Sequence, residues 1–526
     1  MLNTTVPALL TGMLIAGVGS VVAGARPAGE GTRPLVSALA SGATDAGSAR
    51  AVLAAARNAP PEICALAVRA VQGHWGRWGE FDPPADIADS SAAVHWALRN
   101  APEPDAVPVL LAGIADPNDC VRAISARLVA HAELHGVTTG LLEALRSGTV
   151  GTRSAAALAL GLAEAPAALA PFIAHLTDQA PEVRMMAAWG LGTLDQGSAV
   201  APLTRALKDD VARVRSAAAR ALGRLDDSSA VTALARVLRS DPDESVRVAA
   251  AESLGRLEEQ SAVPALVDAL GDRSAEVRRV SAWALGNLDA KGATAGLSRA
   301  LDDTSTDVRE MAVWALGQGG ERSAATAVAR RLQGDAAIEV RRRAAWALGQ
   351  LGADESVPAL GGALRSDKDA EVRREAAWAL GQLDAKAAVA PLVQALRDSA
   401  ADVRGMAAWA IGTLGPEQAP AALFDAVKDP EPGVREKAAW ALGTIADAAA
   451  VPALKSALGD ASGDVRKAAL WALSQIDSDA ARDALVAALQ SRSAEDRARA
   501  ARALGRGGVN PWPWPWPQPE PRPFPD

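Results

Sequence analysis

The chain runs to 526 residues, 49% of them apolar, so a large folded core is expected and a disordered polymer is excluded. Its 62 acidic residues outweigh 54 basic ones, a net charge of −8 that supplies no global field for a phosphate backbone and argues against general nucleic-acid binding. Two cysteines and five scattered histidines leave no clustered spacing for a structural zinc, and the aromatic residues are lopsided: 14 Trp and four Phe with no Tyr.

Residues 1–25 contain no Asp, Glu, Lys or Arg, and Val6–Ala25 is a run of mainly Val, Leu, Ile, Ala and Gly about as long as a bilayer is thick. This segment reads as a signal peptide or membrane anchor. Ala23-Gly24-Ala25 has the small-x-small form of a cleavage site and favours export. Arg26 and Arg33 follow the apolar run, which under the positive-inside rule favours holding the downstream side in the cytoplasm. A third reading makes the segment part of a longer membrane protein. The expectation carried forward is an exported or membrane-anchored chain on the extracytoplasmic side.

Residues 26–103 are expected to form an irregular helical N-terminal cap. Ile63-Cys64-Ala65-Leu66-Ala67 has a helical pattern, Gly73-His74-Trp75-Gly76-Arg77-Trp78-Gly79 breaks it, and Ala93–Leu98 resumes it.

From about residue 104 to 506 an arginine, usually preceded by valine, returns every 31 or 32 residues: Arg122, Arg153, Arg184, Arg215, Arg247, Arg278, Arg309, Arg341, Arg373, Arg404, Arg435, Arg466 and Arg497. Six residues before it stands an aspartate: Asp116, Asp178, Asp209, Asp241, Asp272, Asp303, Asp335, Asp367, Asp398, Asp429 and Asp460, with Ser147 and Ser491 in the other two repeats. Each repeat reads as two helices. Ser356-Val357-Pro358-Ala359-Leu360 typifies the first, with serine as the expected cap and proline in the first turn. Asp367 opens the turn. Val340-Arg341 through Leu351 typifies the second, where Val340, Ala344, Ala347, Leu348 and Leu351 fall on one stripe at about 100° per residue. One helix pair cannot bury that stripe, but stacked pairs can. The predicted fold is all-α, a right-handed α-solenoid of about 13 two-helix repeats.

The D-x5-R turn, the V-R-x-x-A-A-x-A-L-G helix and the 31-residue period resemble the HEAT-like repeats of phycobilisome lyases and of many bacterial scaffold proteins. The resemblance covers about three quarters of the chain and implies a fold more firmly than a function. It implies that the turn residues form a structural ladder between neighbouring repeats, for example Asp272, Arg278, Asp303, Arg309, Asp335, Arg341, Asp367 and Arg373, and that second helices line a concave face. Its lyase members suggest the alternative of a bilin lyase-like enzyme subunit, although no residue here singles out that chemistry. Some HEAT-like proteins bind nucleic acid, which the mixed charge disfavours. In this register Cys64 and Cys120 occupy similar corners of neighbouring repeats, so a disulfide between them would suit an exported domain. His131 and His135 are spaced i, i+4 as metal ligands are, but without a third ligand they read as a solvated helix end.

Five residues after the repeat arginine stands Trp189, Trp283, Trp314, Trp346, Trp378, Trp409, Trp440 or Trp471 in eight repeats, and Arg127, Leu158, Arg220, Glu252 or Arg502 in the others. On the helical projection Trp346 lies outside the buried stripe, so the rings are expected to face the groove. Asn287, Gln318, Gln350, Gln382, Thr413, Thr444 and Gln475 follow four residues later on the same face. Two arrangements fit. The indoles line a groove for an extended or Pro-rich partner, or each packs across the seam to the next helix, with Gly286, Gly317 and Gly349 making room.

Residues 507–526 alternate proline with Trp512, Trp514, Trp516, Gln518, Glu520, Arg522 and Phe524. Such a tail is neither helix nor central strand, and is expected to be a disordered, Pro/Trp-rich segment with polyproline II preference. Its advance of about 9.3 Å per three residues suits self-docking along the tryptophans. The functional expectation is a non-catalytic scaffold that binds a protein or peptide, with no cofactor and no nucleic acid.

Overall fold

In the computed structural model the described residues are 45–59, 64, 102–132, 134–289, 292–383 and 385–505. The proposed signal or anchor segment, most of the expected cap and the Pro/Trp tail lie outside them. Among the described residues the secondary structure is helical throughout, and none of these helices is long and apolar enough to cross a membrane. The chain divides into two compact regions, one ending at Leu257 and the other beginning at Glu258.

In the N-terminal region a helix at Ala46–Arg57 precedes five helix pairs: Val107–Ile114 with Asp119–Val129, Leu134–Ser147 with Val150–Leu162, Leu169–His175 with Pro181–Thr193, Val200–Ala206 with Ala212–Arg224, and Val231–Ser240 with Glu244–Arg256. The C-terminal region holds eight more, from Val263–Ala269 with Ala275–Asn287 to Asp479–Ala488 with Ala494–Gly505. Within each region second helices pack on the second helices of neighbouring repeats, which makes an all-α solenoid.

The sequence explains the regularity. Valine just before the repeat arginine is wholly buried in repeat after repeat, as at Val214, Val308, Val340, Val372 and Val403, and the alanines three and four residues beyond the arginine let helices approach closely. Eleven residues beyond it the backbone turns left-handed: Gly320, Gly352 and Gly415 do so without a Cβ penalty, and Asp195, Asp226, Asp289 and Ala446 adopt the same positive φ. That helix stop is hard to see in the sequence because glycine fills it in only some repeats.

One expected cap is corrected. Ser356 ends a short 3-10 turn, Asp354–Ser356, that leads into Val357–Ser366, and its side chain makes no capping hydrogen bond. The hydroxyl is instead buried without a partner. The 3-10 turn supplies the entry geometry that a serine cap would otherwise provide.

At the N-terminal end, Asp45 caps the helix Ala46–Arg57 by accepting from the amides of Gly47 and Ser48. Arg57 pairs with Asp116. Cys64 is joined to Cys120 by a disulfide, with 5.7 Å between Cα atoms, so position 64 is tied to the helix Asp119–Val129.

Candidate functional face

The Asp and Arg of the turn have three tasks. Asp367 Oδ1 accepts from the amide of Asp369 at 2.9 Å and shapes the turn, and Arg373 Nη1 donates to the carbonyl of Asp367 at 3.0 Å and closes it. The remaining fork crosses to the next repeat, where Nε and Nη2 of Arg341 donate to the two carboxylate oxygens of Asp367 at 2.7 and 3.0 Å. The same bidentate contact joins Arg153 to Asp178, Arg184 to Asp209 and Arg215 to Asp241 in the N-terminal region. In the C-terminal region it joins Arg278 to Asp303, Arg309 to Asp335, Arg373 to Asp398, Arg404 to Asp429 and Arg435 to Asp460. Asp272 shapes its own turn by accepting from Ser274 and, through its carbonyl, from Arg278.

Where serine replaces the aspartate the ladder improvises. Arg122 turns to Asp119 in its own helix, and Arg466 reaches past Ser491 to the buried Asp496. Burial is the largest influence on the Asp367 carboxyl and favours its neutral form. The Arg341 hydrogen bond, the Asp369 amide and the two nearby guanidinium charges outweigh it and hold the group below the ordinary carboxylate range. Asp303, Asp335, Asp398 and Asp429 are held low in the same way. Both members of each pair are thus committed to structure.

Of the two arrangements the sequence allows, the structure takes the packing across the seam, with the glycines making room, and not the open groove that the helical projection points to. Trp314, Trp346, Trp378 and Trp409 are only 2–5% exposed, and Trp189, Trp283, Trp440 and Trp471 are half-buried. Apart from Trp283, each ring lies across the seam with its six-membered edge on the glycine that stands eight residues after the previous arginine. A Cβ built on Gly317 would stand 2.7 Å from Trp346 Cζ3, on Gly349 2.9 Å from Trp378, on Gly412 2.7 Å from Trp440, and on Gly443 2.6 Å from Trp471. Gly286 receives Trp314 in the same way. The helical projection misplaces the rings because its stripe comes from one helix pair. In a stack each second helix is flanked by two more, and the buried arc widens to include the indole.

Several contacts consolidate the seam. The rings of Trp440 and Trp471 stack with centroids 6.5 Å apart at 10°. The Arg343 guanidinium lies 5.8 Å from the Trp346 centroid and pairs with Glu310 of the preceding repeat at 3.1 Å. The sequence holds a faint signal for that last pair, opposite charges at adjacent register positions of neighbouring repeats. The Nε1 groups of Trp346, Trp378 and Trp471 are buried without a hydrogen-bond acceptor, on the ring edge away from the glycine.

With the rings covered, the outward groups are the carboxamides one turn further on. Gln318, Gln350 and Gln382 are exposed in three consecutive repeats, and Asn287 and Gln475 are half-exposed. Thr413 and Thr444 are exposed as well, but their hydroxyls donate to backbone carbonyls of their own helices, Thr413 to Trp409 at 3.1 Å and Thr444 to Ala441 at 2.8 Å. The exposed carboxamides therefore form an unbroken run from Gln318 to Gln382.

In the N-terminal region the same register holds Leu158 and Trp189 in two repeats and is charged in the other three. Arg220 and Glu252 occupy the tryptophan position and pair at 3.3 Å, with Arg224 and Arg256 four residues further on. Burial, with repulsion from Arg256 and Arg220, lowers the Arg224 pKa to about 10, and burial alone does the same to Arg127. Both remain cationic at neutral pH. Among the described residues no group of three or more His, Cys, Asp or Glu could hold a metal ion, and the His135 side chain lies outside those described.

An all-α stack of helix pairs, joined by a turn aspartate and a forked arginine, defines a class of helical-repeat protein. The chain belongs to the HEAT-repeat family: the pattern described as "HEAT repeats" matches ten overlapping stretches between residues 138 and 505. Matching at the level of HEAT repeats does not single out the phycobilisome-lyase type. Among solved structures, importin beta is similar at 15% identity over 94% of this chain and 80% of its own, with a TM-score of 0.53. Kap95p, from a structure describing its binding to RanGDP, is 13% identical over 90% of this chain and 76% of its own, with a TM-score of 0.54. At such identities the likeness concerns the fold. No curated protein matches the chain.

Proposed function

We propose that the protein is a non-catalytic scaffold that binds an extended protein segment along the second-helix face of its C-terminal region. The observation that carries this reading is the row of exposed carboxamides Gln318, Gln350 and Gln382 above the buried Trp314, Trp346 and Trp378. A carboxamide both donates and accepts, so it can pair with the amide and carbonyl of any backbone. Packed helices repeat at about 8–10 Å, and a polyproline II chain advances about 9.3 Å per three residues, so an extended or Pro-rich segment can meet successive glutamines in step. The buried indoles hold that row rigid from beneath. Kap95p, similar in fold, engages the protein RanGDP in its structure, which supports a protein as the class of partner.

The Cys64–Cys120 bond favours an oxidising compartment, and with the apolar N-terminal run it supports an exported or membrane-anchored location. Thiol labelling of the denatured, unreduced protein should find neither cysteine free; two labelled thiols would count against export.

The test is selection of displayed twelve-residue peptides on the full chain, followed by affinity measurement with a Gln318→Ala, Gln350→Ala, Gln382→Ala variant. Each hydrogen bond contributes about 0.5–1.5 kcal/mol net, so the variant should lose at least about tenfold in affinity. Unchanged affinity, or failure to select any peptide, would remove the reading.

A further inference from the structure

The second helices from Ala275–Asn287 to Pro432–Ile445 hold their successors by two devices eight residues apart, the forked arginine and the glycine seat, and Gly463–Gln475 keeps the fork of Arg466 with Ser474 at the seat. The last second helix, Ala494–Gly505, carries both in Arg497 and Gly505. Its neighbours use them differently from it. Ala345, Ala377 and Ala408, four residues after their arginines, are wholly buried by the next repeat, whereas the equivalent Ala501 is exposed. Arg497 is exposed too. Its Nη1 closes the turn onto the carbonyls of Ser491 and Arg492 at 2.8 and 3.1 Å, as Arg435 does onto Asp429 and Pro430, but the fork that grips Asp460 from Arg435 has no next turn aspartate to grip. Among the described residues nothing lies within 4 Å of a Cβ built on Gly505. A glycine at a helix end needs no seat to explain it; an exposed alanine row and an open fork beside it do.

We infer that the chain's own tail closes this edge, with the Trp516 indole on Gly505 and the Glu520 carboxylate in the Arg497 fork. The segment that begins at residue 506 carries the two groups that the edge is shaped to hold, and their spacing fits. Eight residues of α-helix separate Arg497 from Gly505 by about 12 Å, and four residues of polyproline II separate Trp516 from Glu520 by about 12.4 Å. The tail must run antiparallel to the helix. Eleven residues from Gly505 to Trp516 leave ample length for the reversal, and Gly507, Gly508 and Asn510 supply residues that turn readily. Proline suits an outermost layer, since it lacks the amide that an unpaired edge would leave exposed. The tail thus takes the part of a missing fourteenth repeat, satisfying the fork and the seat without building another helix pair.

The test is hydrogen exchange of residues 494–505 in the full chain, compared with Trp516→Ala, Glu520→Gln and Trp512→Ala variants in the same full chain. Trp516→Ala and Glu520→Gln should each speed exchange of this helix by about threefold or more, and Trp512→Ala should leave it unchanged. Arg497→Gln should abolish the effect of Glu520→Gln, because the two groups act as one contact. Identical exchange in wild type and Trp516→Ala would overturn the inference. So would protection that grows with protein concentration, which would mean that a second copy covers the edge. None of these variants alters Gln318, Gln350 or Gln382, so the outcome is separable from the peptide-binding test.

Discussion

The two regions of the molecule use one ladder and two different seams. In both, forked arginines bridge to the next turn aspartate. Five residues beyond the arginine they diverge: the C-terminal region buries indoles on glycines from Trp314 to Trp471, whereas the N-terminal region seats one indole, Trp189 on Gly161, and then sets Arg220 against Glu252 at 3.3 Å. Glycine stands at the seat in both cases, and under Gly192 and Gly223 it admits the neighbouring helix through Ala221 and Ser253 instead of a ring. The difference teaches that the glycine serves helix approach first. The indole is an addition that converts a close approach into a filled seam, and fixes the polar row above it.

Acid should have the largest effect and should ignore the difference. Asp178 and Asp209 in the N-terminal region and Asp303, Asp367 and Asp398 in the C-terminal one titrate lower in the folded state than when unfolded, so their stabilisation is present above the unfolded value near 4 and is lost as pH falls through the folded values. Helical ellipticity is expected to hold from pH 7 to about 4.5 and to collapse below about 4, in both regions together. Loss setting in near pH 6 would mean that other groups govern it.

Single substitutions should then separate the regions. Trp409→Ala empties a filled seam and is expected to cost the C-terminal region about 3–5 kcal/mol, read as faster exchange in Ala401–Leu414 and its neighbours. Glu252→Ala removes a half-exposed ion pair and is expected to cost less than about 1 kcal/mol by the same readout around Ala212–Arg224. Equal losses at the two positions would erase the distinction between the seams.

The period, the helix pairs and the residues of the ladder can all be read in the sequence, because a turn aspartate and its arginine recur in register and the apolar stripe is local to one helix. The direction of the indoles can be read only in part, from the glycines that make room for them. It depends on the third helix in a row, which no projection of a single helix contains, so the projection places Trp346 on an open face where the structure covers it, while Gly317 is the residue that signals the seam. The left-handed stop after most second helices is equally obscure at Asp195, Asp226 and Ala446, where residue type does not announce a positive φ. The rung from Arg466 to Asp496 is a substitution in space rather than in register: the expected carboxylate at 491 is missing and one five residues on replaces it. By contrast the exposed glutamines were legible, since their position outside the stripe survives stacking.

The ladder also gives the array a grammar for growth. Every regular rung takes its arginine from one repeat and its carboxylate from the next, always in the same direction along the chain. A whole repeat can therefore be duplicated or deleted within a run such as Arg278 to Asp460 and leave no charge orphaned, because each new junction presents the same donor to the same acceptor. A cut that is not a multiple of the repeat would strand both. The places where copying would fail are those with improvised rungs, Arg122 with Asp119 and Arg466 with Asp496. They stand near the two ends of the array, and they bracket a stretch whose length can change by whole repeats without a change of chemistry.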